Sequence, residues 1–532
     1  MQSVSRPRLN KQHVLTKAIR SALLLSIPLG LYAPASLAAT FTVNTLLDTE
    51  DATPGDGMAE DINGETSLRA AITEANALAG ADDIVFDAAL VANGDAEILL
   101  TLFDTGLDDG ELGPTAFIVD SEVTITGPAG DNGITVERSG NNDFRFFHVT
   151  STGNLTLENL TFVGGVAQGG HSGGGNSAGA GGAAGIGGAV VNEGIVNIIA
   201  STLTENQALG GSGGMAGSQF SGGAGGGGIG EQGGNGSDPN GGVGGGPNGG
   251  ASNSASATGV GGGGAGGRFS GGPGSKIGGN GGAGAMFGGG GAGGMANATG
   301  GGATARGGNG GAGGFGGGGG GGGRARSGCC SETGGSGGAG GFAAGAGTTG
   351  GNENGTGGFG GGGAGFGGAL FNFGGTTTIE NSTLSGNVAS GGSSGGAPSP
   401  YGGYNLPLGS GFAGDGLGGA IFNLSGSVTI TSSTIAENTV EGGQSTNAAQ
   451  VGTGDGAIYN LGDGATATLV LTNTLVADTL GGDDVVGNTI NGGGSNTSGV
   501  GNLIETQSGF AGGIATDLNP NLAVWQTIAD LL

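Results

Sequence analysis

Positive charge is the scarcest thing in this sequence. Thirteen Lys and Arg stand against 41 Asp and Glu over 532 residues, and five of the 13 fall in the first 38 residues, which hold no acidic side chain. The rest of the chain therefore carries 8 − 41 = −33. Nucleic acid and acidic polymers are expected to be repelled, and no basic patch is visible that would overcome this. Aromatics make up only 5% of the residues, so much of the chain cannot bury enough apolar surface to offset its ordering entropy. Cysteine is confined to the adjacent pair Cys329-Cys330, which excludes a disulfide framework and a Cys-based zinc site. Adjacent thiols close a ring only with strain, which leaves two exposed thiols or a bridge between molecules. Beyond residue 38 the only histidines are His148 and His171, neither near a repeated Ser or Cys motif, which argues against a Ser-His-Asp nucleophile. No phosphate-binding G-x-x-x-x-G-K-[ST] string occurs, and the many G-x-G matches follow from composition.

Long hydrophobic runs are missing too. The longest apolar stretch, Ala22 to Tyr32, is shorter than the roughly 20 residues of a membrane span and is interrupted by Pro28. Arg6, Arg8, Lys11, Lys17 and Arg20 precede it, and Ser36-Leu37-Ala38 follows with small residues at −3 and −1. That arrangement predicts a secretory leader cleaved after Ala38, with no membrane span in what remains. The expected destination is outside the cell, or on the outer surface of a Gram-negative bacterium.

What the chain does have is glycine, 143 residues of it, without the three-residue period with proline that collagen needs. It also has repeats. Gly187-Gly188-Ala189-Val190-Val191-Asn192 leads through Val196-Asn197-Ile198 to Ser201-Thr202-Leu203-Thr204-Glu205-Asn206. Gly367 to Asn372 leads to Ser382 through Asn387 in the same way, and Gly418 to Asn423 leads to Ser433 through Asn438. A degraded copy starts at Gly456 and runs to Asp478.

Within each unit apolar residues alternate with Thr, Ser or Asn, the period of a strand, and Gly or Asn separates the strands. A unit this short has nothing to pack on unless copies stack. Stacking predicts a parallel β-helix with strands about 4.8 Å apart and a continuous aliphatic core. A recurrent Asn at one turn then forms a ladder, the structural role expected of Asn206, Asn387 and Asn438. Glycines at the start of each unit supply tight corners.

The chain accordingly divides into a leader (1–38), a cap with the first rungs (39–165), a glycine-rich loop (166–185) and a rung (186–209). A long glycine-rich insertion (210–365), further rungs (366–510) and a tail (511–532) follow. The glycine segments lack strand periodicity, and composition leaves open whether they are disordered or packed as polyproline-II-like strands. Ahead of the repeats, Phe41–Val43, Asp83–Asp87, Ala116–Val119, Val123–Thr126 and Leu155–Leu157 read as strands. Thr66 to Ala79 reads as a helix capped by Thr66 or Ser67, with Leu68, Ile72 and Ala75 on one face. Such a helix would cover the open end of the coil.

That helix carries a recognisable string, Thr66-Ser67-Leu68-Arg69-Ala70-Ala71-Ile72-Thr73-Glu74-Ala75-Asn76. It resembles the Cys-Ser-Leu-Arg-Glu-Ala-Ile…Ala-Asn motif of CSLREA-domain proteins, which are exported bacterial proteins. Ile125-Thr126-Gly127-Pro128 and the repeats agree with that family, and the repeats also resemble those of chlamydial polymorphic outer-membrane proteins. The resemblance implies an all-β, right-handed parallel β-helix of the pectin-lyase type with an N-terminal capping helix and long glycine-rich insertions. Two departures stand out. Thr66 replaces the family's Cys, and its usual partner near Asp56-Gly57 is missing as well. At the other end, Asn519-Pro520-Asn521-Leu522 gives way to Trp525 through Leu532, where family members continue towards a surface anchor. Codons for this tail read one base earlier can spell the family's string, so a frameshift that removes the anchor is expected.

Two kinds of chemistry need weighing. Asp48, Glu50, Asp51, Asp56, Glu60 and Asp61 cluster ahead of the helix and could take Ca2+, but their spacing is not an EF-hand and a solvated acidic loop is the favoured reading. Pectate-lyase relatives use Asp-bound Ca2+ with a basic residue, whereas the body here offers only Arg69, Arg138 and Arg145 outside the glycine segments. The expectation is therefore a non-catalytic, adhesin-like surface or secreted protein with no cofactor, whose ligand is a glycan or protein and which can self-associate. A polysaccharide lyase or hydrolase is the competing reading.

Overall fold

The computed structural model describes residues 38–512, apart from 106–111, 175–176, 218–221, 238–239, 247–248, 253–260, 265–268, 271–274, 300–303, 328–330, 353–354 and 397–410. The expected leader up to residue 37, the Cys329-Cys330 pair and the residues beyond 512 lie outside the described residues. No helix among the described residues is long and apolar enough to cross a membrane.

Short strands joined by tight turns wind into a parallel β-helix with three long walls, one of nine strands and two of eight. Every pairing between named strands is parallel, and the coil is right-handed, as parallel crossovers require. Register is set by the repeat. Val196, Ile198 and their counterparts Thr377, Ile379, Val428, Ile430, Leu469 and Leu471 fall directly above one another. Their side chains point inward and are fully buried. Alternation along each strand sends the Thr, Ser and Asn between them outward. The corners need left-handed backbone, which glycine supplies at Gly187, Gly367, Gly418 and Gly456, with φ of 58°, 67°, 71° and 69°.

The cap helix spans Leu68–Ala77, shorter at both ends than the sequence suggested. Ser67 is its N-cap, with Oγ accepting from the Ala70 amide at 3.0 Å. Leu68, Ala71, Ile72 and Ala75 are buried, joining Val43, Ile84 and the first rungs in one core. Strands at Ala96–Leu100, Ile134–Arg138, Arg145–Val149 and Thr161–Val163 complete the early rungs beyond those read from the sequence.

The excursions after Gln168, Leu209, Ser390 and Glu441 all leave the coil at one corner, between two four-stranded ribbons. The described glycine residues of these excursions are hydrogen-bonded to one another. In the segment 288–294, successive amides of Gly288, Gly289 and Gly290 donate to Ala285, Gly227 and Gly318. Gly291, Ala292 and Gly293 then repeat the rotation, donating to Gly282, Ala224 and Gly321 at 2.9–3.0 Å. A three-residue period with no bond inside the segment is the signature of a polyproline-II strand. The carbonyls of Gly288, Gly289 and Gly290 accept from Gly314, Gly263 and Gly181, so this strand has a neighbour on six sides. Of the two readings open to composition, the packed glycine strand is the one present.

Hairpins of this lattice turn at Phe287, Phe315 and Phe342. Their rings pack on the outward side of an eight-stranded wall, where Val191, Phe371, Phe422 and Tyr459 lie in register. Phe371 stacks on Phe422 at 5.5 Å and Phe422 on Tyr459 at 5.3 Å, while Phe287 meets Phe371 edge-on at 5.6 Å. A second core therefore joins the lattice to the coil.

The lattice tolerates no side chain at its crossings. A Cβ on Gly290 would lie 2.1 Å from the Gly311 carbonyl oxygen, whereas at Gly133 it would meet nothing within 4 Å. Gly290→Ala should destabilise the protein by about 1–3 kcal/mol in urea unfolding, and Gly133→Ala should stay within about 0.5 kcal/mol. Equal effects would contradict this packing.

Candidate functional site

Most side chains singled out from the sequence hold the fold together. Asn206 donates its amide to Asn387 Oδ1 at 2.9 Å, and Asn387 donates to Asn438 Oδ1 at 3.0 Å, all three fully buried. The backbone amides of Asn206 and Asn387 point at the same two acceptors. A second ladder was not read from the sequence, although the same repeat carries it. Asn192, Asn372, Asn423 and Asn460 pass bonds of 2.9, 2.8 and 2.7 Å from rung to rung. Ser201, Ser382 and Ser433 form a third, in which the hydroxyls of Ser382 and Ser433 accept the amides of Ser201 and Ser382 and that of Ser201 accepts the Leu160 amide.

The acidic residues ahead of the helix are not gathered around a common centre. Asp48 accepts from Arg69 Nε at 2.7 Å and from the amides of Thr101 and Leu102. Asp56 accepts the Met58 amide, and Asp61 accepts those of Asn63 and Glu65. The Glu65 amide is the main cause holding the Asp61 carboxyl below its ordinary value. The Glu60 side chain is exposed, and Glu50 borders an open cleft of about 360 Å³ shared with Arg69, Asn76 and Phe117. Asp51 accepts the Thr53 amide on one oxygen, and its other oxygen is buried without a hydrogen bond. Burial, then the neighbouring Glu74 carboxylate, pushes the Asp51 carboxyl up against the pull of that amide. Among the described residues no three His, Cys, Asp or Glu groups lie close enough to hold a metal ion. Glu74, buried on the cap helix, takes the amides of Gly55 and Gly57 on its two oxygens. This ties down the stretch around Asp56-Gly57 without a disulfide.

The three cations of the β-helix body are also engaged. Arg69 donates to the Leu102 and Ala116 carbonyls at 2.6 and 2.7 Å and lies 4.9 Å above the Phe117 ring. Arg138 donates to the carbonyls of Gly164 and Asn142. Arg145 is buried and donates to the carbonyls of Gly113, Ile186 and Gly187 and to Thr115 Oγ1. Burial pushes its pKa down to about 9, which still leaves it charged at neutral pH. His148 Nε2 sits 3.0 Å from Glu193, and His171 Nδ1 accepts the Ser212 amide.

The glycine bundle carries most of the basic residues beyond position 38. Its outer end is built of two three-stranded ribbons. Ile277 pairs with Arg306, Asn297 with Arg326 and Ala305 with Glu332, which brings Lys276, Arg306, Arg324, Arg326 and the Glu332 carboxylate to one end, on different faces of the ribbons. These residues are scattered in sequence, and the hairpins repeating every 28 or so residues reunite them. Phe287, Phe315 and Phe342, at intervals of 28 and 27, were the available signal of that repeat.

No family model and no characterised protein sequence matches the chain. Among solved structures, the crystal structure of pectate lyase Pel9A aligns over 92% of this chain and 85% of that one, at 10% identity and a TM-score of 0.19. The fold rests instead on the parallel register of the three walls.

Two outcomes are expected. Asn387→Ala leaves the side-chain and backbone amides of Asn206 without their acceptor, and should cost about 1–3 kcal/mol for each such group. An unchanged melting temperature would show that the ladder carries no stability. Glu137 is raised from its ordinary value, first by its hydrogen bond to Glu97, then by burial and by the charges of Glu97 and Glu205. A raised folded pKa adds stability that is full below the ordinary carboxylate value and is lost as pH rises through the raised one. Glu137→Gln should flatten that fall in melting temperature across the acid range, and an unaltered profile would contradict the coupling.

Proposed function

We propose that this is an exported, non-catalytic surface or secreted protein, adhesin-like, whose β-helix serves as a rod that holds the glycine bundle out to a partner. The observation that carries this reading is the engagement of Arg69, Arg138 and Arg145 with backbone carbonyls. Proton abstraction beside a uronate carboxylate needs a cation or base that can reach substrate. In the body those groups already close the fold's own hydrogen bonds. His148 is paired with Glu193 and His171 with the Ser212 backbone amide, and the four aspartates of the cap, Asp48, Asp51, Asp56 and Asp61, accept nearby amides.

Export is supported by the basic and apolar pattern of the first 38 residues and by the likeness of Thr66 to Asn76 to the CSLREA motif of exported bacterial proteins. The glycan or protein ligand is a matter for a binding screen. In this account the cap carboxylates are turn anchors and Ca2+ has no structural place among them.

Incubation with pectate, alginate and related polymers should release no new ends, with or without Ca2+. Cleavage lost on chelation would overturn the reading in favour of a lyase. Millimolar Ca2+ should leave the melting temperature where EDTA leaves it, and a clear rise would restore the cap as a cation site.

A further inference from the structure

A parallel ladder leaves its end strand with a fixed pattern of free groups. One residue of a neighbouring strand bonds the carbonyl before, and the amide after, the residue that it faces. Thr115–Val119 is the end strand of one eight-stranded wall, with Arg145–Val149 as its strand neighbour. The Thr150 amide donates to the Val119 carbonyl at 3.0 Å, so Val119 turns its backbone groups to that neighbour. By alternation, Ile118 and Asp120 turn theirs to the open side.

The cap helix meets the wall at these two groups. Asn76 Nδ2 donates to the Ile118 carbonyl at 2.7 Å, and the Asp120 amide donates to Asn76 Oδ1 at 3.3 Å. A carboxamide offers an N–H and a C=O, as a backbone residue does. Here it takes the carbonyl and the amide on either side of Val119, the pair that one residue of a preceding strand would take. Ser121 Oγ also donates to Oδ1, at 3.0 Å. Two donors on the oxygen and a carbonyl against the nitrogen leave the amide one orientation.

The rest of the edge is closed from nearby. Arg69 lies seven residues before Asn76, about two helical turns, and so on the same face of the helix. Its Nη1 donates to the Ala116 carbonyl at 2.7 Å, two residues before Ile118 and on the same edge. At the start of the strand, Thr115 exchanges both backbone bonds with Asp104, at 3.0 and 2.8 Å. The Ser67 cap and the buried Leu68, Ile72 and Ala75 hold the helix in place.

We propose that Asn76 stands in for one residue of a strand, ending this wall at Thr115–Val119 and keeping the edge from pairing with a strand of a second copy. Thr115-Ala116-Phe117-Ile118-Val119 is uncharged, free of proline and made mostly of strand-forming residues, so without a cover it is a template for strand addition. The open cleft bordered by Arg69, Asn76 and Phe117 gives an incoming strand access to it.

Sedimentation of the full chain over a range of concentrations tests the block. N76A opens the Ile118 carbonyl and the Asp120 amide. It should keep a cooperative melting transition, and its mass should rise with concentration to two chains or more where that of the parent does not. I118P added to N76A should abolish the gain, because proline withholds an amide on the open side and leaves the bonds to Arg145–Val149 in place. N76D, equal in size but with an oxygen facing the Ile118 carbonyl, should associate as N76A does, and decides the matter if N76A does not fold. A folded N76A or N76D with the mass of the parent at every concentration would overturn the proposal and leave Asn76 a role in stability alone. Association that persists in N76A/I118P would overturn it as well, by placing the contact on another surface.

Discussion

A strand of glycine can accept neighbours on six sides because nothing projects from its Cα. That allowance underlies the architecture of the insertions. A polyproline-II strand makes no hydrogen bond with itself, so every amide and carbonyl must find a partner elsewhere or be left for water. With a Cβ in place, the strands could not approach closely enough. At Gly293 and Gly320 the added atom would come within 2.0 and 2.2 Å of a neighbouring carbonyl oxygen. Without it, amides rotating by a third of a turn per residue reach three different neighbours in succession. Hydrogen bonds between strands thus replace the hydrophobic core that the composition cannot supply.

Such a lattice has little apolar surface to hold it to anything. The aromatic residues meet that need. They are few, and the structure concentrates them where the hairpin turns touch the coil. Phe287, Phe315 and Phe342 come from the insertion, and Phe371, Phe422 and Tyr459 from the rungs. The glycine-bearing excursions leave one corner, so the lattice grows along the coil beside the wall that carries these rings. Rung stacking, through aliphatic rows inside and Asn ladders at the turns, then fixes the spacing on which the aromatic stack depends.

The coil was legible because its physics repeats. Gly-Gly-Ala, an inward aliphatic and a terminal Asn recur at constant spacing, and the cap helix announced itself through Ser67 and its apolar stripe. What escaped the sequence has identifiable causes. The position after the inward aliphatic, occupied by Val191, Phe371, Phe422 and Tyr459, faces outward, and alternation alone assigns it to solvent. Its cover comes from residues that lie up to about a hundred positions away in sequence. Arg145–Val149 is buried on both faces and shows no alternation. Order in the glycine segments leaves no hydrophobic period to read, since it depends on backbone groups that every residue has.

Amide hydrogen exchange on the full chain, resolved by peptide, tests this account most directly. If the lattice is as described, peptides covering 278–296 and 308–323 will be protected to a degree comparable with those covering the rung from Ile421 to Ala436. Exchange of the glycine peptides at the rate of an unstructured chain, with the rung still protected, would contradict it.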